Sequence, residues 1–163
     1  MTKTYLLELA DYNIWANKKV INWLTQISST QFEQPLMGSF KNIHETTLHI
    51  VAAEQIWYQR LVNDVSEWLG ITFEGDRAMM LETWKRTSSD LKHYISDTSE
   101  EELAENFDFS TRDGMASNME RYKALAHTFN HSTFHRGQLV TLLRQVGFTD
   151  VYSTDMINFY REN

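Results

Sequence analysis

The stretch from Leu125 to Leu139 contains no proline and sets His127, His131 and His135 at intervals of four residues. Four-residue steps advance a helix by about 40° and leave neighbouring Cβ atoms about 5–6 Å apart, so the three imidazoles form a slanted stripe on one face of a long helix. The stripe continues through Ala124 above and Gln138 and Leu142 below, while Arg121, Lys123, Arg136 and Arg144 fall to its sides. A histidine row in line with core positions faces the inside of a bundle or the wall of a cleft. A single interior histidine is ordinarily just hydrogen-bonded, but an i, i+4 pair is a spacing that metal sites use repeatedly. His131 and His135 are therefore read as two ligands of one ion.

A helix that long needs partners, and the remaining sequence offers them. Residues 4–27 carry Tyr5, Leu6, Leu9, Tyr12, Ile14, Trp15, Val20, Ile21 and Leu24 at helical spacing, which predicts a first helix. A turn follows through Pro35, the chain's only proline, and Gly38. Asn42 with Glu45 is a capping-box pattern opening a second helix over about 43–63. That helix is apolar nearly all round, which implies burial on most faces and predicts a homodimer that covers part of it. His44 and His49 on it lie five positions and about 140° apart, so they cannot both face one ion, and periodicity does not choose between them.

Asp76 caps a third helix through about residue 97, with Met79, Met80, Trp84, Leu91 and Ile95 as its packing side and His93 as a surface or packing residue. Ser99 to Glu102 repeats the capping box and starts a short helical turn. Phe107 to Phe109, the Asp113–Gly114 dipeptide and Met115 to Ser117 predict a small hairpin or an irregular loop. The fourth helix runs over about 119–146 and stops at Gly147, and a short terminal helix over about 154–161 caps the bundle. The expectation is an all-α four-helix bundle forming a single domain over residues 1–163.

Composition narrows the function. The net charge of −7 comes without a cluster of Lys and Arg along one face, which argues against a nucleic-acid partner. With no cysteine, a metal must be held by His, Asp, Glu or water, and no thiolate nucleophile is available from the chain. No apolar run approaches 18 residues and no signal-peptide core is present, so a soluble cytoplasmic protein without a membrane partner is expected.

The blocks from Ser39 to Trp57 and from Asn130 to Gln138, the latter containing His-x-x-x-His-Arg-Gly-Gln, resemble the DinB or YfiT-like metalloprotein superfamily. The resemblance covers essentially the whole chain, and it implies a metal triad of His49, His131 and His135. His44 and His127 then become neighbours, candidates for contact with a bound cofactor rather than ligands. Three neutral imidazoles leave an open coordination position, the arrangement of a catalytic site. Zinc or nickel is the first expectation, with iron or manganese as alternatives.

The ion would ionise a thiol or activate water. Characterised relatives, thiol-dependent S-transferases and a maleylpyruvate isomerase, imply a low-molecular-weight thiol, with a small molecule as its substrate. A metal-dependent hydrolase and a non-enzymatic, stress-induced metal- or ligand-binding dimer are the other readings; the family name reflects DNA-damage induction, not contact with DNA. Glu45 and Glu54 are candidate proton-transfer or ligand-orienting residues, against the plainer reading of a cap and a solvated face. Gln138 is placed to hydrogen-bond within the site, and Gly137 to admit a neighbouring helix.

Overall fold

A computed structural model describes residues 1–63 and 68–162. Four long helices form the bundle: α1 (Lys3–Gln26), α3 (Ile43–Leu61), α5 (Arg77–Asp97) and α7 (Arg121–Gln145). Short helices α2 (Ser29–Glu33) and α4 (Leu69–Thr72) occupy connections that periodicity left without structure, and α6 (Glu100–Ala104) follows α5. The hairpin is β1 (Asn106–Ser110) paired antiparallel with β2 (Ala116–Glu120), and Phe109 lies opposite Ser117. The turn between the strands contains Gly114 at φ +82°, a conformation that costs glycine little. The terminal helix is α8 (Met156–Glu162). Among the described residues no helix is long and apolar enough to cross a membrane.

The long helices begin and end where their capping residues stand. Asn42 accepts a hydrogen bond from the Glu45 amide at 2.8 Å, and Asp76 accepts one from Met79 at 2.8 Å. Only half of the expected box forms at Asn42, because the Glu45 carboxylate takes the Lys41 amide at 3.1 Å instead of the Asn42 amide. At the other end of the bundle α7 closes in a Schellman motif. Phe148 N–H reaches the Leu143 carbonyl at 3.0 Å, Gly147 N–H reaches Arg144 at 3.1 Å, and Gly147 takes φ +82°.

The interior is divided along the helix axes. One apolar cluster contains Val20, Trp23, Leu24, Ile50, Val51, Trp84 and Leu139; the other contains Leu6, Ala10, Leu91, Ile95, Leu125 and Phe129. Burying each large side chain contributes about 1.5–3 kcal/mol. Between the two clusters each long helix contributes polar residues: Asn13 and Asn17, Glu54, Ser88, then Ser132 and Arg136.

Arg136 stands at the side of the histidine stripe, as periodicity places it, and is 1% exposed because it points across to α1. Two expectations are corrected here. Met79 is 58% exposed, and its neighbour Met80 takes the core position. Among the described residues, no atom beyond its own helix backbone stands within 4 Å of a Cβ built on Gly137, so none of the described helices packs closely there. His93 is exposed, and most of the apolar circumference of α3 is covered by α5 and α7 of the same chain.

Candidate metal centre

Helix α3 supplies His49 and α7 supplies His131 and His135, and one ring nitrogen from each lies within 4.8 Å of the other two. His131 Nε2 stands 3.0 Å from His49 Nε2 and 3.1 Å from His135 Nε2. A neutral imidazole has one donor and one acceptor nitrogen, so a single Nε2 cannot satisfy both neighbours with linear hydrogen bonds. Imidazoles sharing a tetrahedral ion at about 2.0–2.1 Å would have nitrogens about 3.3 Å apart, a few tenths of an ångström from what is seen. The donor set fits a cation and could hold one.

Electrostatics favours the same conclusion. Burial, reinforced by His135 and by Arg112, lowers the pKa of His49 from 6.5 to about 4. Burial and then His135 lower that of His131 to about 3. Burial also lowers the pKa of His135, against the hydrogen bond to Gln138, which raises it. The rings therefore keep their lone pairs at neutral pH. His135 Nδ1–H donates to Gln138 Oε1 at 2.8 Å, and the Gln138 amide donates to Ser39 Oγ at 3.0 Å, which leaves His135 Nε2 as a bare acceptor facing the cluster. His131 Nδ1 is buried with no hydrogen-bond partner among the described residues.

The other sequence candidates lie at varying distances from this point. His127 is outside the converging set: its ring centre is 5.8 Å from that of His131, and it meets Trp57 edge-on at 5.3 Å. His44 turns away, stacking on Phe32 at 5.4 Å with Nδ1 3.0 Å from Glu33. Glu45 lines a cleft of about 330 Å³ together with Phe40, His49, Trp68 and Arg112. Glu54 is neither at the histidines nor solvated. It is 0% exposed and accepts hydrogen bonds from Asn13 and Asn17 at 3.0 Å, Ser132 at 2.8 Å and Ser88 at 2.7 Å. Arg136 closes the network by donating to the Asn13 and Asn17 carbonyls at 2.5 and 2.8 Å, so two asparagines bridge a buried carboxylate and a buried guanidinium.

Several residues at the site carry no signal in a single helix. The Phe40 ring lies 4.5 Å from His49 and 5.8 Å from His135, centre to centre, covering the cluster from the loop before α3. Trp68, 6.4 Å from His49, and Arg112, from the hairpin turn, complete the rim. A second cleft of about 440 Å³, lined by His131, Trp57, Arg60 and Phe109 among others, shares His49, Trp68 and Arg112 with the first. An aromatic residue placed just before the Asn42 cap was the one visible hint of Phe40; Trp68 and Arg112 depend on tertiary contacts.

Comparison with known proteins matches residues 1–161 to the family model described as DinB family. Protein DinB of Bacillus subtilis (strain 168) is 22% identical over 151 residues, covering 88% of this chain and 87% of that protein. The crystal structure of a DinB-like protein from Bacillus cereus superposes with a TM-score of 0.64 at 18% identity, covering 84% of this chain and 91% of the other, which shows a shared fold.

Proposed function

The chain belongs to the DinB family, and from that premise we propose that it is a divalent-metal protein with His49, His131 and His135 as ligands, acting as a thiol S-transferase-like enzyme. The observation that carries this reading is the convergence of three ring nitrogens within 4.8 Å beside open clefts. Zinc or nickel suits three imidazoles best, with iron or manganese as alternatives. When bound, such an ion lowers the pKa of a coordinated thiol or water and so supplies a nucleophile at neutral pH. The chain has no cysteine, so the thiol comes from a small molecule.

The protein's own residues set the stage for that chemistry. Gln138 fixes the tautomer and orientation of His135, while Phe40 shields the rings from water. Glu45 shares a cleft with His49, and among the described residues only its Oε2 is engaged, so it is our proposed proton acceptor. Glu54, with both oxygens already accepting hydrogen bonds, is assigned a structural role. We retain the homodimer in the proposal. At the C-terminal cap of α3, Val62 at 43% exposure remains for a second copy to cover, and sedimentation measures the dimer directly.

The test is conjugation of several low-molecular-weight thiols to chlorodinitrobenzene and to epoxides by metal-loaded protein, with metal-free protein and His131→Ala as controls. Metal-dependent conjugation that disappears in His131→Ala supports the assignment. Ester or amide hydrolysis without any thiol would make the protein a hydrolase, and neither activity with metal retained would leave a metal- or ligand-binding protein.

A further inference from the structure

The larger cleft joins apolar walls to two cations. The Arg60 guanidinium lies 4.7 Å from the Trp57 ring centre and 5.3 Å from that of Phe109, while Arg112 lies 5.6 Å from Trp68. Both arginines line the cleft, its described lining contains no Asp or Glu, and among the described residues neither guanidinium pairs with a carboxylate. In a chain with 22 acidic and 15 basic residues, positive charge is the scarcer sign, and two arginines face one cavity without a counter-ion among the described residues. Arg60 is partly desolvated there, which lowers its pKa without removing its charge.

We infer that this cleft recognises an organic carboxylate, a small molecule whose apolar or aromatic body lies among Trp57, Phe109 and Trp68 and whose anionic group is taken by Arg112, with Arg60 in support. The volume of about 440 Å³ falls within the roughly 300–1,000 Å³ of small-molecule sites. Apolar walls with few placed polar groups select such a body. A planar guanidinium matches a carboxylate fork in both geometry and charge. Each guanidinium lies over a different ring, which suits one carboxylate better than the clustered donors that a phosphate dianion demands. The inference deepens the metal-centre reading and rests on it, because the same cleft is lined by His49 and His131.

The probe pair is 3-phenylpropionate and its neutral amide, 3-phenylpropanamide, titrated calorimetrically into the full chain, both zinc-loaded and stripped of metal. The acid should bind at least about tenfold more tightly than the amide in both forms, the increment of one charge-assisted hydrogen bond. Arg112→Gln should bring the ratio close to one with zinc stoichiometry unchanged, and Arg112→Lys should restore only part of it, because an ammonium keeps the charge but loses the fork. Equal binding of acid and amide by the wild type overturns the inference. So does a preference that needs zinc and survives in the Arg60→Gln, Arg112→Gln double variant, since the metal would then hold the carboxylate. Inorganic phosphate displacing the acid at equal concentration would mark a general anion site and overturn it as well. Absence of zinc binding with the acid preference intact would remove the metal reading and leave the carboxylate site standing.

Discussion

Glu54 and His49 stand on the same helix, five residues apart, and each heads a polar cluster shared with α7, yet the two clusters are built on opposite terms. Around Glu54 four donors meet two carboxylate oxygens, and Arg136 ties the asparagines that supply two of them. Around His49 three like nitrogens face one another, and His131 Nδ1 has no partner among the described residues. A saturated buried network has no capacity left for a ligand and serves the fold. An unsaturated one beside two clefts has, among the described residues, nothing to complete it and could take a ligand. The family block places histidine and arginine side by side at positions 135 and 136, so adjacent residues of one helix serve different clusters.

Breaking the saturated cluster should produce the largest effect. Glu54→Ala strips four donors of their acceptor and leaves the Arg136 charge uncompensated in the interior, at an expected cost of about 3–5 kcal/mol in urea denaturation. Whatever fraction remains folded should still take up metal. Breaking the open cluster should do the reverse. His131→Ala should leave metal-free stability nearly unchanged and abolish the gain on adding metal, which for the wild type is about 2.7 kcal/mol at one hundred times Kd.

A smaller effect sharpens the boundary between the clusters. Gln138→Ala frees His135 to rotate and should weaken metal binding by about 10–100-fold, measured by competition with a chelator, while thermal stability barely moves. The smallest effect concerns protons. The pKa values of His49 and His131 lie below the unfolded value of 6.5, at about 4 and about 3, so the unfolded chain binds more protons through that window. Stability of the metal-free protein should therefore fall as pH drops from about 6.5 towards 3, with solvent screening of half-exposed rings trimming the slope. His131→Ala should flatten this limb in an acid titration followed by circular dichroism, and an unchanged limb would assign the acid sensitivity elsewhere.

Much of this was legible in the sequence, for physical reasons that also mark the limit. Helix ends were readable because capping is local: Asn42, Asp76 and Gly147 act on amides or carbonyls within a few residues. The His131 and His135 pair was readable because its spacing is fixed by one helix. His49 over His44 required the family resemblance, since helical period separates the two without saying which faces α7. The Glu54 network was hidden because a buried polar group depends on partners from other helices. Its one local trace is Asn13 and Asn17, four apart in a line with Ala10 and Val20, where amides interrupt an apolar face. The burial of Arg136 was hidden for the same reason: periodicity sets it beside the stripe, and the acceptors on α1 that bury it belong to another helix. Arg112 reaches the site only because the hairpin pairs in its observed register.

The most direct test is metal content of protein purified without added metal, as wild type and as His49→Ala, His131→Ala, His135→Ala and His44→Ala. The account predicts close to one equivalent in the wild type and in His44→Ala and little or none in the other three. Equal metal in all five, or loss confined to His44→Ala, would contradict it.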